Sequence, residues 1–331
     1  MTAKISVGQA SVPVSSFRSI VTVTLNPTID RIIEVPSFKV GGHQNGRLRT
    51  REPAGKAVNV SRALSDLGMP NSAIGWVGMD AFDLFYEAMQ DADVKTCFLP
   101  ISGSTRENIT IIDPQTHIET HIRDAGPTVD ASDVARLTDL LESTVNENSL
   151  AIFTGSLPPG LTMEMFEGLL TSCTKHGARV AIDTAGLALK AAVRCKPWLV
   201  KPNDEELAEF MNHHDRADEP FLLQAGRQLN EQVAVVLVTA GKHGAYCFAD
   251  GKVLHAIAPV SSDAIQSTVG CGDAMLAGFL AGLSASHGDM ETALREGVIV
   301  SAAAAMTDGP ARFERSDVDR LRQKVESRKI G

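Results

Sequence analysis

Cysteine is scarce: five residues among 331, an odd number, with no Cys-x-x-Cys pair. This excludes a disulfide framework and a cysteine zinc site, and the expectation is reduced thiols in a cytoplasmic protein. Basic residues are also in deficit, 31 Lys and Arg against 40 Asp and Glu, for a net charge of −9 and a pI near 5.5. An acidic chain is a poor partner for nucleic acid or an anionic membrane surface, so any anionic ligand needs a few locally placed cations. No apolar run reaches the roughly 18 residues of a membrane span. Residues 1–18 are small and polar, lack the apolar middle of a signal peptide, and read as a loose extension. Neither Gly-x-x-x-x-Gly-Lys-Ser/Thr nor a Gly-x-Gly-x-x-Gly after the first strand occurs, which argues against Walker-type ATPases and dinucleotide dehydrogenases.

What is present is an ordinary globular balance, 44% hydrophobic and 21% charged. Ser19–Leu25 is a short β-branched run that predicts a buried strand. Helical periodicity covers Lys56–Leu67 and Ala81–Met89, then alternates with apolar strands at Leu150–Phe153, Arg179–Ile182, Trp198–Lys201, Val233–Thr239 and Ala245–Phe248. Three helices are expected in the tail: Ala274–Ser284, Met290–Met306 and Val318–Ser327. This rhythm predicts an α/β domain with a mostly parallel sheet covered on both faces. Two polar-faced ribbons, residues 31–52 and 97–122, interrupt it. They predict a small extra sheet, either a lid over a site or an edge decoration.

The residues suited to chemistry cluster at predicted strand ends and helix starts. Ser267-Thr268-Val269-Gly270-Cys271-Gly272-Asp273 runs straight into a small, apolar helix. Its backbone N–H groups and helix dipole suit an anion, and Asp273 places a carboxylate beside them. An anion seat next to a base suits transfer of a phosphoryl group to a hydroxyl. Asn26-Pro27-Thr28-Ile29-Asp30 puts Asp30 just beyond the first strand, where open α/β sheets bind ligands. Gly55 and Lys56 open a helix with Asn59 one turn on, and Arg106, Asn108, Arg47 and Arg49 lie on the ribbons. Lys56, Arg106 and Arg47 suit a phosphate, or are simply solvent-facing. Thr154–Gly160 ends a strand with Ser156 at its turn, and Lys201-Pro202-Asn203 precedes an acidic helix start. There, Asn203 and Glu206 share a face that suits magnesium through water. Thr239-Ala240-Gly241-Lys242-His243-Gly244 is either a turn over which a flat base fits or only a turn.

Taken in order, these motifs resemble those of the PfkB (ribokinase-like) carbohydrate kinases over residues 19–331. The Asn-Pro-x-x-Asp start and Thr105-Arg106-x-Asn108 resemble the hexose-phosphate branch, which holds 1-phosphofructokinases, tagatose-6-phosphate kinases and minor 6-phosphofructokinases. The resemblance implies a three-layer α/β/α ribokinase-like domain with a small β-sheet lid, using ATP and Mg2+. It implies Asp273 as the base and the Gly270, Cys271 and Gly272 amides as the seat of the transferring phosphoryl group. Asp30, Gly55, Asn59, Asn108 and Ser156 would line the sugar, with Lys56, Arg106 and Arg47 on its phosphate. Lys201, Asn203, Thr239, Gly241 and Gly244 would hold ATP, with Glu206 on magnesium. The implied reaction takes fructose 1-phosphate to the 1,6-bisphosphate, with tagatose 6-phosphate and fructose 6-phosphate as alternatives. A non-catalytic sugar-phosphate sensor or a kinase of an unphosphorylated sugar fits less well. Exposed ribbon edges lead to the expectation of a homodimer through the lid; monovalent-cation dependence and allosteric control stay open. Two positions depart from the family pattern: Cys271 replaces a usual alanine, and Ala57 a common glycine.

Overall fold

The computed structural model describes residues 17–330 except His117 and Arg216. In order, its first half contains β1 (Ser19–Thr24), β2 (Thr28–Glu34), β3 (Arg47–Ala54), α1 (Lys56–Asp66), β4 (Ser72–Gly78), α2 (Phe82–Asp91), β5 (Lys95–Ile101), β6 (Arg106–Asp113), β7 (Ile118–Ile122) and α3 (Ala131–Thr144). The middle contains β8 (Ser149–Thr154), α4 (Met163–Lys175), β9 (Arg179–Asp183), α5 (Gly186–Arg194), β10 (Leu199–Val200), α6 (Asp204–Phe210), α7 (Glu219–Asn230) and β11 (Val235–Thr239). The remainder is β12 (Ala245–Ala249), β13 (Lys252–Ile257), α8 (Cys271–Ala285), α9 (Met290–Ala305), α10 (Arg315–Arg322) and β14 (Glu326–Ile330).

The large sheet runs β14-β13-β12-β11-β10-β9-β8-β1-β4-β5. From β11 to β5 every pairing is parallel, and β12, β13 and β14 add antiparallel strands at one edge. Alternate residues feed opposite faces: Val21, Val23 and Phe153 pack with Phe166 and Leu169 of α4, and Ile20, Leu150 and Ile152 pack with Leu64 of α1 and Phe279 of α8. Helices therefore cover both faces, the three-layer arrangement expected when parallel strands are joined by helices. The chain moves from β1 outward through β4 and β5, then returns to place β8 on β1's other side. That reversal, between β1 and β8, is the topological switch point where such sheets open a crevice at their carboxyl ends.

The second sheet, β3-β2-β6-β7, stands apart from the large one. Its central pair β2–β6 is parallel and its outer pairs are antiparallel.

Several expectations shift. The ribbon expected at 97–122 begins later, because Lys95–Ile101 is the edge strand beside β4 in the large sheet. The first ribbon is wider than 31–52, reaching from Thr28 to Ala54. Helix α10 stops at Arg322, and Glu326–Ile330 pairs antiparallel with β13 where Val318–Ser327 was expected to be one helix. Of the loose extension, residues 1–16 lie outside the described residues, but Phe17 does not hang free. Its ring meets Trp198 edge-on at 5.4 Å and lies under the Arg179 guanidinium. Strand β4 was not anticipated, since two glycines break its apolar run. Gly75 is needed there: at φ 131°, an added Cβ would sit 2.0 Å from the Thr24 carbonyl oxygen.

Candidate active site

The carboxyl edge around the switch point carries Thr24, Thr154 and Asp183 side by side on β1, β8 and β9. Just past β1, the Asn26 side-chain amide donates to the Ala125 carbonyl (3.1 Å), to Ser156 Oγ (3.3 Å) and to the Leu157 carbonyl (3.4 Å). One buried amide thus ties the turn after β1 to the turn after β8, and gives Ser156 its place. Arg106 reinforces the same turn, donating to the carbonyls of Asn26 (2.9 Å), Pro27 (3.2 Å) and Asp124 (3.3 Å). Three of a guanidinium's five N–H donors are thereby engaged, and two are left for an anion.

Asp30 lies one strand into the small sheet, in register with Glu52 on one side and Asn108 on the other. Asn108 Nδ2 donates to its Oδ1 at 3.1 Å. Burial raises the Asp30 carboxyl above its ordinary value, the Asn108 bond opposing this and Glu52 adding to it.

Helix α1 begins at Lys56, after Gly55 at φ 119°, and no side chain caps it. Lys56 Nζ meets Asp183 Oδ1 at 3.1 Å and Lys201 Nζ meets Asp183 Oδ2 at 3.1 Å. Burial alone would raise the Asp183 carboxyl, but Lys201 and Lys56 outweigh it and hold it below the usual carboxylate range. The Lys56 ammonium is raised in turn, first by Asp183. One turn into α1, Asn59 Nδ2 donates to Asp273 Oδ2 at 2.8 Å. Asn59 therefore holds the acid directly, where the sequence suggested a sugar hydroxyl for it; its Oδ1 stays buried with no partner among the described residues.

Asp273 sits in the first turn of α8 and is 3% exposed. Burial, then the Asp183 charge, pushes its carboxyl up to about 7, against the pull of Lys56, Asn59 and Lys201. A carboxylate poised near neutrality suits a base at physiological pH. Ahead of it, Gly270 takes φ 78° and packs so close to the Pro310–Ala311 segment that a Cβ would lie 2.3 Å from the Ala311 nitrogen. No side chain caps α8, and Lys201 lies over its first turn: a Cβ at Gly272 would start 3.1 Å from Lys201 Nζ. A helix N-terminus under an ammonium is a strong seat for a phosphoryl group. Cys271 points aside, its Sγ 3.7 Å from the Ser267 carbonyl, and burial, then Asp273, pushes its thiol to about 11. It is a packed thiol and a poor nucleophile.

The adjoining edge carries the segments expected to hold a nucleotide. Thr239 N donates to the Pro202 carbonyl at 3.1 Å, joining the two loops. Gly241, at φ 53°, has open space where a side chain would be, so a flat ligand can lie against its backbone. Gly244 has the opposite reason to be glycine, since a Cβ would fall 2.1 Å from the Ala256 carbonyl oxygen. Asn203 and Glu206 form a capping box on α6: Glu206 N donates to Asn203 Oδ1 (2.7 Å) and Asn203 N to Glu206 Oε2 (2.9 Å). The pair expected to serve magnesium thus first serves the helix, with one Glu206 oxygen left over.

Arg47 does not join the site. It lies at the far end of β3 from Gly55, eight residues or roughly 26 Å along an extended strand, and forks onto Glu34 at 2.9 and 3.3 Å. Asp183, conversely, was missed. Its only signal was an acid directly after the apolar run Arg179–Ile182, at a strand's carboxyl end. Among the described residues no three His, Cys, Asp or Glu gather as a metal cage.

The chain is similar to known sugar kinases over most of its length. A 1-phosphofructokinase of Bacillus subtilis is 34% identical over 290 residues, covering 87% of this chain and 93% of the relative. A 1-phosphofructokinase of Vibrio cholerae is 28% identical over 309 residues, covering 93% and 96%. The crystal structure of phosphofructokinase-2 from Escherichia coli in complex with potassium superposes with a TM-score of 0.86 at 25% identity, covering 92% of this chain and 98% of that one. Residues 20–315 match the model of the pfkB family of carbohydrate kinases, and the chain belongs to that family.

Proposed function

We propose that this chain is an ATP-dependent kinase that converts a ketohexose monophosphate to the bisphosphate, fructose 1-phosphate being the first choice and its 6-hydroxyl the acceptor. The observation that carries this reading is Asp273: a buried carboxyl near neutral pKa, held by Asn59, at the uncapped start of α8 beneath Lys201. The 1-phosphofructokinase relatives support the choice of substrate.

In the proposed reaction Asp273 accepts the proton of the sugar hydroxyl as that oxygen forms its bond to phosphorus. The charge gathering on the transferring group falls on the amides of Gly270, Cys271 and Gly272 and on Lys201. Asp183, itself paired with Lys56, holds Lys201. Asp30 and Asn108 orient the sugar ring. Arg106 and Lys56 receive the phosphate already on the sugar. The open face at Gly241 fits an adenine base. ATP supplies the phosphoryl group. Among the described residues no cage of acids is found, so magnesium would come with the nucleotide, and Glu206 would hold it through water.

A coupled assay of ADP release over fructose 1-phosphate, fructose 6-phosphate and tagatose 6-phosphate tests this. Turnover of the first is expected; turnover of either other sugar alone moves the assignment within the family, and none on any sinks it. We further propose a cytoplasmic homodimer joined through the small sheet acting as a lid, since Leu48, Ile118 and Ile122 leave large apolar side chains exposed there. Light scattering after gel filtration decides the dimer. The potassium in the Escherichia coli structure supports a monovalent-cation requirement, read by exchanging KCl for NaCl in the same assay.

A further inference from the structure

His255 is a buried imidazole that the proposed reaction does not use. It stands on β13, and its Nε2 lies 2.8 Å from the backbone carbonyl oxygen of His243. A carbonyl only accepts, so Nε2 is the donor. The acceptor belongs to the short 3-10 turn Gly241–His243 that follows β11. That turn has few other ties. His243 N bonds Ala240 O (2.9 Å), Gly244 N bonds Gly241 O (3.1 Å) and Ala240 N bonds Gly244 O (2.8 Å), all internal to the loop. Beyond the Thr239–Ala245 pairing that closes the hairpin, the loop meets the sheet through the fit of Gly244 against the Ala256 carbonyl and, one residue away, the His255 imidazole.

The imidazole is itself held in place. Tyr246, His255 and Arg328 are cross-strand neighbours on β12, β13 and β14. The Tyr246 ring lies 4.5 Å from the imidazole at a 32° tilt. Tyr246 Oη donates to Glu219 Oε1 at 3.2 Å, and Arg328 Nη2 meets the same oxygen at 2.9 Å. A ring fixed on one side and bonded on the other is the arrangement of a positioning group.

We propose that His255 is a positioning residue for nucleotide binding: by holding the His243 carbonyl it fixes the height of the Gly241–Gly244 turn on which the base of a purine nucleotide rests. The proposal rests on the reading of this turn as the nucleotide seat. It places the determinant of nucleotide affinity one strand behind the contact surface, on a residue that touches no ligand.

Steady-state kinetics on the full chain test it with three variants. His255→Leu removes the donor and keeps the bulk; KM for ATP is expected to rise about fivefold, the worth of one net hydrogen bond, with KM for the phosphosugar unchanged. His255→Gln, whose amide nitrogen reaches the same place, is expected to restore KM for ATP. If His255→Leu does not accumulate folded by circular dichroism, His255→Asn, too short to reach the carbonyl, takes its place with the same expectation. An unchanged KM for ATP, an equal rise in both KM values, or no rescue by glutamine overturns the proposal. Gly241→Asn, which adds bulk on the open face without forbidding φ 53°, tests the turn itself. If Gly241→Asn weakens ATP and His255→Leu does not, only the role of His255 falls. If Gly241→Asn leaves ATP binding unchanged, the turn is not the nucleotide seat and the proposal falls with that reading.

Discussion

Asn59 and Asp273, 214 residues apart, share a 2.8 Å hydrogen bond in which the amide donates to the carboxylate. That bond favours the charged form of an acid that burial and Asp183 disfavour. Replacing Asn59 by alanine should raise the Asp273 pKa further above about 7. The acidic limb of the kcat/KM profile then moves up by roughly half a pH unit to one unit, with activity recovering toward pH 9. A limb that stays in place would show that Asp273 is not the group whose ionisation limits the rate.

Asp273→Asn is expected to lower kcat by about a thousandfold or more while ATP still binds. The same change should stabilise the protein. The folded-state pKa is raised from 3.8 to about 7, so the native state holds a proton that the unfolded state releases between those values. Stability contributed by this group is therefore full at low pH and declines as pH rises through about 7. At pH 8 the variant should gain roughly 1 to 4 kcal/mol, and the gain should vanish toward pH 4. Thermal melts at the two pH values read it.

Asp183→Asn removes the shared counter-ion of Lys56 and Lys201. Because the Lys201 side chain is only 4% exposed, the loss at pH 7 should be about 3 to 5 kcal/mol, the price of a stranded buried charge. The native Asp183 carboxyl is held below its usual range, so its contribution is complete above about pH 4 and lost on acidification. The gap between variant and parent should accordingly narrow as pH falls. Urea titrations at pH 7 and pH 4 compare them.

Two arginines of the small sheet, Arg106 and Arg47, should behave differently. Arg106 holds the carbonyls of Asn26, Pro27 and Asp124 with a planar fork, so Arg106→Ala should raise KM for the phosphosugar about tenfold or more and Arg106→Lys should not rescue it. Arg47, exposed and paired with Glu34, should be replaceable by alanine with both KM values within about twofold, as for other surface pairs. A large KM effect at Arg47 would mean that its end of the ribbon meets substrate after all.

How much of this was legible beforehand varies by element and by residue. The central β/α repeat was readable because near-continuous apolar strands such as Leu150–Phe153 and amphipathic helices such as α4 carry strong periodicity. Strand β4 was not, because Gly75 is set by contact with Thr24 on a neighbouring strand, a tertiary fact. Strand β14 hid because Glu-Ser-Arg-Lys-Ile is an exposed edge whose β character comes from pairing with β13. In the site, Gly270–Asp273 announced itself by local chemistry. Asp183 did not, since Lys56, one of the partners that give it meaning, is 127 residues away. Asn59 was picked out, but its partner Asp273, 214 residues on, could not be.

The wide separation of the pieces bears on how the protein comes into being. Synthesis delivers Asn26, Asp30, Asn59, Arg106, Asp183 and Lys201 well before Asp273. On the proposed assignment, a chain still on the ribosome, with α8 not yet made, would lack both the Asp273 carboxylate and the α8 amides. Catalytic competence would then wait for α8 to meet Asn59 and Lys201, and for the still later Pro310–Ala311 segment against which Gly270 packs.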